Sequence, residues 1–249
     1  MATPALKHLE HLLQTRRLDG TLLKPWSQDT RPAAPTGISA LDEALGGGLA
    51  RGELSELVGA RSSGRTSALV ATLAAATRRS GIVALVDACD RFDPVSAAEA
   101  GVALDRVLWV RGPSMTVEMA RPGLLDRAVR QALRAFDLII RSGGFDVVAL
   151  DVADVPPVFF RALPAATWMR LARANEGSRT ACLLVGAAPM GRSARGVTVR
   201  LEARARWAGD SLQSRRLGGL GVEATVGQGR LGRDGAAWAV GAEAACTPA

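Results

Sequence analysis

A chain of 249 residues, 48% hydrophobic and 4% aromatic with no Tyr, has enough apolar mass for one sizeable α/β domain built mainly on Ala, Val and Leu. Its formal charge of +7, carried mostly by Arg, permits contact with nucleic acid or an acidic partner, and a GC-rich genome would encode the same bias. Cys89, Cys182 and Cys246 form no C-x-x-C pair, which argues against a disulfide framework and a zinc site and fits a reducing compartment.

No apolar run approaches the ~18 residues of a membrane helix. His8, Glu10 and His11 interrupt the stretch where a signal peptide needs an unbroken apolar segment. The expectation is a soluble, cytoplasmic protein without membrane contact.

The first predicted element is a helix over 5–17, with Leu6, Leu9, Leu12 and Leu13 on one stripe and Asp19-Gly20 as its stop. His8 and His11 lie three apart on it, but no third metal ligand accompanies them, so they read as a solvated pair. Residues 25–36 hold Pro25, Pro32 and Pro35 and read as a linker. Residues 1–24 are then a short tethered helix and the linker's start. Its stripe is buried either on its own domain or on a neighbouring subunit.

The body, 37–240, alternates strand and helix. Strands are expected at 54–58, 82–86 ending at Asp87, 106–110, 146–150 ending at Asp151, and 181–186. Helices are expected at 66–79, from Asp93-Pro94 to about 100, at 117–141 with an interruption near Pro122, and at 157–173. Continuous apolar strands between helices predict a mostly parallel sheet covered on both faces. After Gly191 the pattern changes. Segments 197–207, 221–226 and 236–240 alternate, with Gly-rich turns between them, and predict antiparallel strands that extend the sheet. Residues 241–249 read as a loose tail.

Gly59-Ala60-Arg61-Ser62-Ser63-Gly64-Arg65-Thr66-Ser67 has the spacing of a phosphate-binding loop, placed between a predicted strand and a predicted helix. In such a loop glycines let backbone N–H groups wrap phosphates, the helix offers its positive end, a lysine reaches the β/γ-phosphates and Thr or Ser holds Mg²⁺. Gly59, Ser62, Ser63, Gly64, Arg65, Thr66 and Ser67 are therefore the candidate nucleotide-binding positions, with ATP and Mg²⁺ as the implied ligands. Asp151, closing its strand, stands where a carboxylate helps orient Mg²⁺ together with Thr66; an Asp at a strand end is also a common helix cap. Arg65 replaces the lysine. Its planar guanidinium either binds phosphate in a shifted pose or turns away to pair with a carboxylate.

From about Thr36 to Val226 the chain resembles the ATPase core of RecA recombinases. The resemblance rests on Gly37-Ile38-Ser39-Ala40-Leu41-Asp42 with Gly46-Gly47-Gly48-Leu49, on the loop, on Val86-Asp87-Ala88 with Asp93-Pro94, on Gly101-Val102, and on the run from Arg141 to Asp151. It implies a RecA-like phosphate-loop fold with C-terminal antiparallel strands and a short N-terminal helix.

Four functional positions depart from the family pattern. Where the family has the glutamate that activates the attacking water, this chain has Cys89, and neither Asp87 nor Asp90 is placed by the match to replace it. The aromatic that stacks on adenine is Ser96. An Asn-Gln pair that senses the γ-phosphate is Gly186-Ala187. The loop lysine is Arg65.

This pattern is similar to the ImuA family, the RecA-like members of bacterial damage-inducible mutagenesis cassettes. That resemblance implies a scaffold or regulator in error-prone translesion synthesis, with little or no ATP hydrolysis. Its implied partners are an inactive Y-family polymerase-like protein, an error-prone replicative-type polymerase, RecA, DNA, and further copies of the chain. Two alternatives stay open: a weak DNA-stimulated ATPase, and a DNA-binding module with a vestigial nucleotide site. Arg192, Arg195 and Arg200 match a family loop that touches DNA and suit backbone phosphates; solvated surface arginines are the competing reading. Arg204, Arg206, Arg215 and Arg216 extend this basic face. The five tryptophans read as core or interface residues, and Cys89 as a lost glutamate rather than a nucleophile.

Overall fold

The computed structural model describes residues 33–114, 123–191, 196–209, 215–228, 231–232 and 236–240. The expected helix over 5–17, with His8 and His11, lies outside them. So do Trp26, Arg192, Arg195, the start of the helix expected from 117, and the tail.

In chain order the elements are β1 (Ala33–Ala34), α1 (Ser39–Ala44), β2 (Leu49–Ala50), β3 (Leu54–Gly59), α2 (Arg65–Arg78), β4 (Val83–Asp87), α3 (Pro94–Glu99), β5 (Val107–Arg111), α4 (Leu124–Ser142), β6 (Val147–Asp151), α5 (Val158–Arg161), α6 (Ala165–Asn175), β7 (Ala181–Gly186), β8 (Val197–Ala208), β9 (Arg216–Gln228), β10 (Leu231–Gly232) and β11 (Ala236–Val240). The main sheet has nine strands in the order β10-β9-β8-β3-β7-β6-β4-β5, with β11 paired to β9. All pairings from β8 to β5 are parallel. β9 is antiparallel to β8, β10 and β11.

The central strands are apolar on both sides because both faces are covered. In β6, Val147 and Ala149 join the layer beneath α2, with Leu69 and Leu73; Val148 and Leu150 join the layer beneath α4 and α6, with Phe136 and Leu171. The period of two thus feeds two cores from one strand.

The structure adds three details. The stretch expected as one helix over 157–173 is two, α5 and α6, because Pro164 has no N–H to continue the ladder and disfavours the helical conformation at Leu163. β8 is not purely an antiparallel extension: it runs parallel to β3 before β9 turns back on it. Ala33–Ala34, at the end of the proline-containing segment, pairs with Leu49–Ala50.

The glycine motif between these short strands has a mechanical role. Asp42 accepts from the Thr36 amide and hydroxyl, both at 2.7 Å, and from the Gly37 amide at 3.2 Å. Gly48 sits at φ 127°, and a Cβ there would come within 2.3 Å of the Ala34 carbonyl oxygen. No helix among the described residues is long and apolar enough to cross a membrane.

Candidate nucleotide site

In an open parallel sheet, ligands bind beyond the carboxyl ends of the strands. Here Gly59, Asp87, Asp151 and Gly186 end β3, β4, β6 and β7. Asp87 and Asp151 are register partners, and the Ala88 amide donates to the Asp151 carbonyl at 3.0 Å.

The loop leaves β3 at Gly59, where a Cβ would lie 2.3 Å from Ser63 Oγ and 2.6 Å from the Leu201 carbonyl oxygen. It then passes Ser62 at φ 59° and Gly64 at φ 87°, left-handed values that wrap the backbone into an anion-binding concavity. Thr66 and Ser67 are exposed in the first turn of the 14-residue α2. Ser63 Oγ is buried with no hydrogen-bond partner among the described residues. The cradle therefore retains the form of a phosphate loop.

Its basic residue turns beneath it. Arg65 is 6% exposed and folds beneath the loop. Its guanidinium donates to the Gly59 carbonyl at 2.5 Å and to the Ala153 carbonyl at 3.2 Å, and lies 3.9 Å from the Asp154 carboxylate. Of the two placements the sequence left open, the structure adopts the one turned toward a carboxylate. The planar fork suits this: it reaches two carbonyls at once, which a lysine ammonium does less well.

Asp154 gathers two further arginines, Arg91 at 2.7 Å and Arg61 of the loop at 3.3 Å. These residues border an open cavity of about 440 Å³ over the loop, which also takes in Thr66, Ser67 and Leu220. A second cavity, of about 620 Å³, shares Arg65, Thr66, Ser67, Arg91 and Asp154 with it. Asp87, Cys89, Ser96 and Asp151 line the second.

Asp151 accepts from the Ala153 amide at 2.9 Å. Burial pushes its carboxyl up to about 6; the Ala153 hydrogen bond opposes this, the Asp87 carboxylate adds to it, and the Arg65 guanidinium opposes it again. Asp87 is buried and holds the turn after β4, accepting from the amides of Cys89 at 3.3 Å and Phe92 at 2.8 Å and from Trp109 Nε1 at 3.4 Å. Asp90 is fork-bonded by Arg111 at 2.8 and 3.0 Å and also binds Ser114. Both carboxylates considered as substitutes for the missing glutamate are thus committed to structure. Cys89 itself is buried, and its thiol is pushed up to about 12, first by burial and then by the Asp151, Asp154 and Asp87 charges. Such a thiol is a poor nucleophile at neutral pH.

Ser96 lies in the first turn of α3, its hydroxyl bonded to the capping carboxylate of Asp93, and offers no stacking surface. Beyond Gly186, Met190 and Gly191 donate their amides to Glu56 Oε1 at 2.8 and 2.5 Å, while the Thr198 hydroxyl donates to Oε2 at 2.9 Å. Glu56, 2% exposed in β3, ties the segment after β7 to the sheet. Sequence reading missed Glu56, Asp154 and Arg91. A carboxylate inside a buried strand and a second Asp three residues past Asp151 were the available signals.

The residues fit ATP and Mg²⁺ only in part. The cradle, the Thr66 hydroxyl and the Asp151 carboxyl suit a metal-bound phosphate. Arg65 presents no charge upward, and no carboxylate stands at position 89. Among the described residues no group of three His, Cys, Asp or Glu is placed to hold a metal on its own.

On the basic face, Arg200, Arg204 and Arg206 share one exposed side of β8, as strand alternation requires. Glu202 interrupts them and faces Glu223 across the hairpin.

A mostly parallel sheet with a glycine-rich phosphate loop at its carboxyl edge defines a phosphate-loop α/β protein. A profile of the RecA N-terminal domain matches residues 21–158, more than half of the chain, and the protein belongs to that family. It is 42% identical over 125 residues to Protein RecA of Methylococcus capsulatus, covering 49% of this chain and 32% of that one. Over 135 residues it is 37% identical to Protein RecA of Clavibacter michiganensis, with 53% and 33% covered. Over 150 residues it is 36% identical to Protein RecA of Acidothermus cellulolyticus, with 59% and 39% covered. The matches thus span about a third of each relative's length.

Proposed function

We propose that this chain is a degenerate RecA-like accessory protein of the ImuA kind, acting in error-prone translesion DNA synthesis within the SOS response to DNA damage. In this reading it is a scaffold or regulator, not an efficient ATPase. Its partners are an inactive Y-family polymerase-like protein, an error-prone replicative-type polymerase, and RecA itself, through surfaces inherited from the family. The observation that carries the reading is Arg65, whose guanidinium is held beneath the loop by the Gly59 and Ala153 carbonyls and lies beside the Asp154 carboxylate. Cys89, buried between Asp87 and Asp151 where the family activates water, supports it.

A second reading, a weak DNA-stimulated ATPase, draws on the intact cradle and on Thr66 and Asp151 lining one cavity. One experiment separates the two. Purified protein is assayed for ATP turnover with and without single-stranded DNA, alongside co-purification with the polymerase-like partner. The scaffold reading expects no DNA-stimulated turnover, no gain in Arg65→Lys, and partner binding unaffected by Thr66→Ala. DNA-stimulated turnover that Asp151→Ala abolishes would refute it, as would failure to bind the polymerase-like partner.

A further inference from the structure

α4 and α6 lie side by side over one face of the sheet, across it from α2, with Leu133 and Phe136 of one and Trp168 and Leu171 of the other in a shared core. Each feeds a parallel strand, β6 or β7, so the two helices run the same way and end together. Between them opens a cavity of about 350 Å³, lined by Arg141 of α4 and by Ala166, Met169, Arg170, Arg173 and Ala174 of α6. The α6 residues recur at spacings of three and four, which is one stripe of the helix. Met169 is 53% exposed there, and Leu138, three residues before Arg141 on α4, is 70% exposed. The floor of Ala and Met is apolar and adaptable, and its rim is cationic. Residues 155–175 hold Arg161, Arg170 and Arg173 and no Asp or Glu. Arg141 pairs with Asp137 at 3.0 Å. Arg141 and Arg173, in the last turns, also answer the negative ends of their helices. That role accounts neither for Arg170, nearly a turn earlier, nor for the bare Met169.

We propose that the α4–α6 groove docks a short acidic segment of a partner protein. A large apolar side chain of that segment covers Met169 between Ala166 and Ala174, while flanking carboxylates pair with Arg170 and Arg173. Floor and rim together select this occupant. An apolar floor takes an anchor side chain, and a guanidinium fork takes a carboxylate on two N–H groups. Nucleic acid would use the arginines, but no lining residue offers an aromatic face for a base. This chain's own residues 1–24 carry a leucine stripe, but Lys7, Arg16, Arg17 and Lys24 outweigh Glu10 and Asp19, the wrong sign for an arginine rim. The groove shares no lining residue with the cavity over the phosphate loop. It does not rest on the scaffold reading, since neither polymerase nor nucleotide enters its test.

The test is selection of a displayed random-peptide library on the full chain, followed by fluorescence anisotropy of the enriched peptides in labelled form. Enriched peptides should combine Asp or Glu with Leu, Phe or Met, and their binding should weaken as salt rises. Met169→Ala lowers their affinity about 5- to 30-fold, the range for an anchor contact at the centre of an interface. Arg170→Glu/Arg173→Glu lowers it by more than about 30-fold, because attraction becomes repulsion. Arg127→Glu, at the far end of α4, leaves it unchanged. All four side chains are exposed, and unchanged thermal melts confirm folding. No enrichment overturns the proposal, as do enriched peptides without acidic residues, or wild-type affinity in Met169→Ala or in the double variant. Binding of a labelled oligothymidylate that the double variant loses and Met169→Ala retains overturns it in favour of nucleic acid. Oligomers in sedimentation that both variants dissociate overturn it in favour of a second copy of the chain.

Discussion

Asp151→Asn tests the electrostatics of the site directly. The Asp151 carboxyl ends β6 half-buried, and desolvation with the nearby Asp87 carboxylate moves it from 3.8 to about 6, against the pull of the Ala153 amide and Arg65. A carboxyl raised on folding binds its proton more tightly in the native state. The resulting stability is fully present below about pH 4 and is lost as pH rises through about 6. A rise from 3.8 to about 6 corresponds to about 3 kcal/mol. Asparagine keeps the shape and the oxygen that accepts from Ala153, but does not titrate. Urea unfolding of both proteins from pH 4 to 7.5 should therefore show the variant gaining on wild type by about 2.4 kcal/mol across that range, the rest of the effect lying below pH 4. The other titrating groups cancel in the difference, apart from Asp87, Arg65, Asp154 and Cys89, which face the carboxyl directly. A difference that stays flat with pH would refute the account of Asp151 as a buried carboxyl destabilised by its own charge.

Two other outcomes follow from the same coordinates. Native protein treated with iodoacetamide at pH 8 should leave Cys89 and Cys182 unmodified by mass spectrometry until it is unfolded, because burial raises both thiols; rapid native labelling of Cys89 would contradict its placement. Gly48→Ala should cost about 3 kcal/mol or more, since its Cβ meets the Ala34 and Pro35 backbone. Gly46→Ala, with nothing within 4 Å, should cost about 1 kcal/mol from its positive φ alone. Equal losses in denaturant melts would show that steric crowding is not what selects glycine at 48.

The sheet was legible because its strands are continuous apolar runs, and a strand buried on both faces cannot be written otherwise. The loop was legible from spacing alone, since each glycine answers a backbone requirement that sequence records. The direction of Arg65 was not. It depends on carbonyls at Gly59 and Ala153, the second 88 positions away in the chain, and on Asp154, which no loop spacing includes. Glu56 was hidden for a related reason: its partners, Met190, Gly191 and Thr198, come together only when β3 pairs with β7 on one side and β8 on the other. Trp207 was read as core or interface, yet the apolar alternation of β8 runs two residues beyond the core that would bury it. Periodicity tells which face a residue occupies, not where the opposing layer stops.

The departures at 65 and 89 are physically coupled. Around the loop, Arg61, Arg65 and Arg91 meet Asp87, Asp151 and Asp154, three positive groups against three negative ones. A glutamate at position 89 would place a fourth carboxylate against Asp87 and Asp151, raising a proton affinity that burial already raises. Cys89 removes that repulsion by remaining a neutral thiol. Asp154 in turn takes up the charge of arginines that would otherwise face an incoming phosphate. A site built to receive a triphosphate keeps an excess of positive charge for it, whereas these three arginines and three aspartates balance one another. Any phosphate approaching the loop meets Arg61 and Arg91 already paired with Asp154.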